Sequence, residues 1–390
     1  MRRKRLLASV VSTAASAALA TTLAACSGSS GPSQPANMIT VSDQQCGGTW
    51  HLAKPGWYTF EINNQGVNGA EVDLINPANG AIYAEIENTG PGTTTPMALN
   101  VGSGKYAFLC LFSDSNPFAG PTVTVAGDVK GTPAVLPITS NDLLPLATEY
   151  HKDLEAGIKV LATDTDALQA AVESGNVTAA KRDWLTAHFQ YETLGDAYGA
   201  FGNYDSEING RADAVGVNSP QWTGFYRLEY GLWHGQSTAE LTPVAKTLDN
   251  DVHELLAWWP GQQIGLTGLG RRAHEQIENA VEFQLTGHDD YGSGTTLAST
   301  VASIQASRVL LGLLQPLLTP RDPGLPQLYT DLDTLQGLLE KERLPSGWWV
   351  PVSALPTQTR EQIDAACDQA LQDLAPVAAV TEPRSSANDF

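Results

Sequence analysis

From Ile39 to Gly127 the apolar positions come in short runs bounded by turn residues. Gly56-Trp57-Tyr58-Thr59-Phe60-Glu61-Ile62 precedes Asn63-Asn64, Glu71-Val72-Asp73-Leu74-Ile75 precedes Asn76-Pro77, and Tyr106-Ala107-Phe108-Leu109-Cys110-Leu111-Phe112 follows the same scheme. Regular strands at roughly ten-residue spacing predict a small sandwich or barrel. After Gly131-Thr132-Pro133 the period changes to that of a helix. Leu143, Ala147, Tyr150, Leu154, Ile158 and Leu161 trace one stripe, and the following helix ends on Gly175, a residue suited to a left-handed cap. Further stripes at Trp184–Tyr191, Val301–Leu318, Tyr329–Leu339 and Ile363–Leu374 predict an α-helical bundle.

The first 25 residues belong to neither pattern. Arg2, Arg3, Lys4 and Arg5 form a basic segment, and Leu6 to Leu23 carries no charge. That is the architecture of a secretory signal. A spanning helix needs about 20 strongly apolar residues, whereas this stretch is rich in alanine and broken by Ser9, Ser12, Thr13, Ser16, Thr21 and Thr22. Leu23-Ala24-Ala25-Cys26 resembles the lipobox of bacterial lipoproteins, in which the cysteine is acylated and the preceding peptide removed. The alternatives are an ordinary signal peptide that contains a cysteine and a membrane anchor. Residues 1–25 are therefore read as a lipoprotein signal, and the Ser-, Gly- and Pro-rich segment 26–38 as a flexible tether. The expected location is the outer face of the cytoplasmic membrane, with Cys26 lipid-anchored.

Loss of residues 1–25 leaves 18 Lys and Arg against 42 Asp and Glu, a net charge of −24. Such a surface repels nucleic acid and attracts cations, although acidity alone is commonly just a solvated surface. The mature length predicts two or three domains; the two patterns place a β domain at 39–130 and a helical domain at 138–380. Three cysteines remain beyond Cys26. Cys46 and Cys110 lie among the strands and are expected to pair outside the cytoplasm, while Cys367 sits at helical spacing among Ile363, Ala366, Ala370 and Leu374 as a buried thiol.

Several chemistries are disfavoured. The β domain resembles a cupredoxin, whose copper needs two His and one Cys, usually with a Met; here Cys110 is followed by Leu-Phe-Ser-Asp-Ser-Asn-Pro-Phe, and His51 is the domain's one histidine, so no copper is expected. His274-Glu275-Gln276-Ile277-Glu278 has half of a zinc-protease motif, with Glu278 where the second His belongs. No Gly-x-Ser-x-Gly elbow or phosphate-binding glycine loop occurs.

Thr223-Gly224-Phe225-Tyr226-Arg227-Leu228-Glu229 resembles the Thr-Gly-Phe-His-Arg-Ile/Leu-Glu segment of the EfeO/EfeM iron-uptake proteins and the wider imelysin family. Tyr191-Glu192, the element carrying Asp205, Ile208 and Arg211, and Glu278 to Gly287 look like further family motifs. The resemblance implies a cupredoxin-like sandwich followed by an imelysin-like helical bundle, and a non-enzymatic, membrane-anchored binding component of an iron-uptake system with a permease and a peroxidase as partners. In the family the His-x-x-Glu pair is thought to contribute to a metal site.

This chain departs from the pattern at the centre. Tyr226 replaces the motif His, Gly195 replaces the second Glu of Tyr-Glu-x-Ile-Glu, and Tyr291-Gly292-Ser293-Gly294-Thr295-Thr296-Leu297 lacks the family's His and Asp. Two readings follow. In one, Glu192, Tyr226 and Glu229, with His188 four residues before Glu192, form an oxygen-rich site for ferric iron or another hard ion. In the other, the fold is kept for cell-envelope or partner binding without the metal, Tyr226 packs in the bundle and Glu229 pairs with Arg227 or Arg211. A peptidase role is the remaining alternative.

Overall fold

The computed structural model describes residues 37–112, 115–195, 199–266 and 268–383. The expected signal, Cys26 and nearly all of the tether lie outside the described residues. The chain is a two-sheet β domain followed by an all-helical domain.

The strands are β1 (Met38–Ser42), β2 (Gln45–Cys46), β3 (Gly56–Asn64), β4 (Ala70–Ile75), β5 (Ile82–Thr89), β6 (Thr94–Val101), β7 (Gly104–Phe112), β8 (Phe118–Ala119) and β9 (Val123–Val125). One sheet has the order β2-β1-β3-β6; in the other β5-β4-β7 is flanked by β8 and β9, both on β7. β1 begins at the last residue expected in the tether, because Met38 already pairs in parallel with Glu61 of β3. Along β3 every second residue from Phe60 turns inward, the alternation that a half-buried strand requires. Phe60, Phe108 and Trp50 meet edge to face between the sheets. The two-sheet arrangement fits a cupredoxin-like sandwich. Cys46 on β2 and Cys110 on β7 are joined by a disulfide that ties one sheet to the other. In that bond Cys110 offers no thiolate, the ligand a blue-copper centre needs.

The helices are α1 (Ser140–Glu173), α2 (Val177–Glu192), α3 (Asn203–Asn209), α4 (Gly224–Trp233), α5 (Thr238–Trp258), α6 (Arg271–Asn279), α7 (Thr296–Leu318), α8 (Leu325–Glu340) and α9 (Thr357–Thr381). The first stripe and the helix expected after it are one element, α1, because neither Gly nor Pro interrupts the chain between Leu161 and Glu173. It closes on a Schellman motif, in which Gly175 N–H donates to Val172 O and Asn176 N–H to Ala171 O. α1 packs on α2 and α5, while α6 and α8 pack on α9. α7 is long and apolar enough to cross a membrane by composition, yet most of it is buried at the centre of the bundle, as a core helix is. Cys367 is buried on α9, where the apolar surroundings push its thiol up to about 12. The linker is held from both sides: Val135 and Ile82 exchange backbone hydrogen bonds, and Arg321 Nε donates to Leu136 O.

Candidate metal centre

The start of α4 is fixed by contact with α3. Gly224 has φ +82°, and a Cβ there would stand 2.3 Å from Ile208 O, so Gly alone fits where α4 is pressed on the end of α3. Thr223 Oγ1 donates to Glu207 O at 3.0 Å, and Trp184 Nε1 of α2 donates to Phe225 O at 2.9 Å. α2, α3 and α4 are thereby locked together, with Tyr226 and Glu229 one turn apart on α4.

α2 contributes His188 and Glu192, both buried. His188 Nε2 lies 3.1 Å from Glu192 Oε1 and 3.2 Å from Asn209 Oδ1. Both neighbours are acceptors, so Nε2 carries the proton. Asn209 Nδ2 donates to Glu192 Oε1 at 2.9 Å, and Gln284 Nε2 reaches Glu192 Oε2 at 3.4 Å. Burial disfavours the imidazolium, but the charges of Glu192, Glu229 and Asp289 outweigh that and hold the His188 pKa above its ordinary value. On the same helix, the residue before Glu192, Tyr191, donates to Asp205 Oδ1 at 2.6 Å.

Glu229 is held by the glycine-bearing loop before α7. Its Oε1 accepts from Tyr291 N–H at 3.1 Å and Ser293 N–H at 2.9 Å. The alternate amides, those of Gly292 and Gly294, turn to Asp290 Oδ1, at 2.8 and 3.0 Å. Neither Arg227 nor Arg211 pairs with Glu229: Arg227 donates to Gln236, and Arg211 faces Asp213 and Asp289. Glu229 Oε2 is buried without a hydrogen-bond partner, and burial pushes the carboxyl up to about 7. Asp289 has the same features. Its Oδ1 is buried without a hydrogen bond, 3.8 Å from Arg211 Nη1, and burial and then the Glu192 charge raise it to about 6.

Tyr226 has two surroundings. Its ring packs with Ala212, Trp222 and Tyr291, and with His188 at 5.3 Å between centroids. Its hydroxyl stands beside Asp289. Burial, and then the charges of Glu192, Asp289 and Glu229, hold its pKa well above the usual value, so without a cation it is a phenol.

Glu192 and Tyr226 line a cleft of about 730 Å³, with Asp205, Asn209, Arg211, Asp213, Glu282, Gln284 and Asp289 in its walls. His188 and Glu229 lie behind that wall. The π-helical turn Ala280–Gln284 after α6 gives Phe283 and Gln284 their place in it. Where the family motif has a second Glu, a Cβ on Gly195 would meet the Gln276 amide at 2.5 Å, so Gln276 fills the room a longer side chain would need. Asp289 and Asn209 join the site beyond the residues that the sequence singles out. Asn209 follows Ile208 in the Asp205 to Arg211 element and could have been found there; Asp289 lies in a loop with no periodic spacing.

The arrangement offers hard oxygen donors around one imidazole, in a site with more buried carboxyls than cations. Two of the carboxyl oxygens have no hydrogen bond, a cost that a bound cation would remove. The donor set fits a hard ion. Among the described residues, though, three His, Asp or Glu ligand atoms approach within 4.8 Å of one another elsewhere, at Asp166, Asp249 and His253.

The imelysin (Peptidase M75) family model matches residues 147–378. The chain is 28% identical over 313 residues to the "Iron uptake system component EfeO" of Yersinia pestis, covering 80% of this chain and 82% of that protein. It is 27% identical over 327 residues to the protein of the same name from Escherichia coli (strain K12), covering 80% and 83%.

Proposed function

The chain belongs to the imelysin family, which includes EfeO/EfeM proteins, and on that footing we propose that it is the extracytoplasmic binding component of an iron-uptake system. In this reading a lipid on Cys26 holds it at the outer face of the cytoplasmic membrane, and residues 26–38 tether it within reach of a permease and a peroxidase partner. Its cargo is ferric iron or another hard cation, taken in the cleft by Glu192, Tyr226 and Asp289, with Glu229 and His188 behind them.

The observation that carries the reading is the pair of buried carboxyl oxygens, Glu229 Oε2 and Asp289 Oδ1, left without hydrogen bonds in a cluster that also holds Glu192. The names of the relatives and the chain's acidity support it. A ferric ion is acidic enough to bind Tyr226 as phenolate. We assign no peptidase role, since Tyr226 stands where the family's motif His would be.

Titration calorimetry with ferric citrate, and with ferrous, zinc, copper and calcium salts, tests the cargo. Saturable binding of a hard cation, weakened by Glu192→Gln and Asp289→Asn, is expected. The retention of Oε1 of Glu229 by the Tyr291–Ser293 loop and the neutral phenol at Tyr226 favour the second reading, a cell-envelope or partner-binding protein without metal. That reading takes over if no ion binds saturably. Lipid attachment is tested separately by radiolabelled palmitate incorporation, which Cys26→Ser should abolish.

A further inference from the structure

Away from the cleft, α1 and α5 bring together two carboxylates and an imidazole. Asp249 and His253 are one turn apart on α5, and Asp166 faces them from α1. A single nitrogen, His253 Nε2, lies 3.2 Å from Asp166 Oδ1 and 3.8 Å from Asp249 Oδ1. None of the three residues lines the 730 Å³ cleft.

A surface ion pair would account for His253 and Asp166, whose side chains are 46% and 62% exposed. It does not account for Asp249. Its side chain is only 12% exposed, and Oδ1, the atom turned toward the imidazole, is buried without a hydrogen bond. Nitrogen and oxygen ligands about 2.0–2.2 Å from a divalent ion stand about 3.0–3.4 Å apart in octahedral or tetrahedral geometry. The two spacings at His253 Nε2 are within a small side-chain adjustment of that range.

We infer that Asp166, Asp249 and His253 form a second cation site, independent of the cleft, for a first-row divalent ion of the zinc type that clamps α1 to α5. The imidazole selects against calcium and magnesium, which prefer all-oxygen shells. Three protein ligands leave at least one position to water, and the exposure of two of them makes the ion exchangeable.

The purified protein, freed of metal with EDTA and dialysed, is titrated with zinc chloride by calorimetry and melted with and without zinc. The wild type should bind zinc and melt higher in its presence. His253→Ala and Asp249→Asn should each weaken that binding by about tenfold or more and lose the thermal gain. Asp333→Asn, an exposed change on α8 outside both sites, should keep both. Melting of each variant in EDTA close to that of the wild type shows that it folds, and Asp166→Asn supplies an exposed variant should a buried change perturb α5. Zinc binding and thermal gain that persist undiminished in His253→Ala, or that vanish in Asp333→Asn, overturn the assignment.

Discussion

The amide of Ser293 donates to Oε1 of Glu229 at 2.9 Å across 64 residues of chain. With Tyr291 N–H on the same oxygen, the carboxyl staples the loop before α7 to α4. Alternate amides of that loop serve Glu229 and Asp290, and the turns this takes put Gly292 at φ +129° and Gly294 at φ +68°, which favour glycine. Glu229 is therefore structural through one oxygen and uncommitted through the other.

That division sets the pH response. Burial raises Glu229 from 4.5 to about 7 and Asp289 from 3.8 to about 6, so the folded protein holds these protons more tightly than the unfolded chain. His188, raised by its carboxylate neighbours, acts in the same direction above pH 6.5. Their stabilisation is complete at low pH and is lost as pH rises, from about 4.5 to 7 for Glu229, by on the order of 3 kcal/mol. Glu229→Gln keeps an acceptor for both amides and removes the titration. In EDTA the variant should match the wild type at pH 5 and exceed it at pH 8 by about 1–3 kcal/mol in urea unfolding, whereas Glu229→Ala should lose about 2–4 kcal/mol at either pH. Parallel pH profiles for wild type and Glu229→Gln would contradict this account.

The two architectures were legible because each has a period: inward alternation at Phe60 and Ile62, and the Leu143 to Leu161 stripe on α1. The site was legible only where it lies on helices. His188, Glu192, Tyr226 and Glu229 stand at i, i+3 and i, i+4 spacings that a sequence displays. Asp289, Asn209 and the amides of Tyr291 and Ser293 reach the cluster from loops and a helix end, and no local period marks them. The arginine partners that the metal-free reading offers Glu229 fail for the same reason. Arginine is the obvious partner in a sequence, while backbone amides are invisible there.

The Thr-Gly-Phe segment gives a backbone prediction. Gly224→Ala must place a Cβ at φ +82° and within 2.3 Å of Ile208 O, so α4 has to move off α3. The cost should be about 2 kcal/mol or more, read as a lower melting temperature. Gly235→Asn is the control, since φ there is +73° with open space around the position. If Gly224→Ala melts like the wild type, the α3–α4 contact is not the constraint described.

Tyr226→His would restore the motif residue beside Asp289. A neutral imidazole is a better ligand than a phenol for borderline divalent ions and a worse one for ferric iron than a phenolate. The variant should bind zinc or ferrous ion about tenfold more tightly, with ferric binding weakened. Calorimetry reads both. Unchanged preference would mean that residue 226 does not face the ion.

The Cys46–Cys110 bridge closes a loop of 64 residues between the two sheets. By chain entropy alone, such a closure stabilises the β domain by about 4 kcal/mol. Replacing both cysteines by alanine should therefore lower β-domain stability by a few kcal/mol, in a transition separate from that of the helical domain. Thiol counting gives the complementary measurement. Cys367 is buried with its thiol raised to about 12, so the folded protein should react slowly. After denaturation without reductant, protein lacking Cys26 should release one thiol per chain. Three thiols would show that the sheets are not bridged.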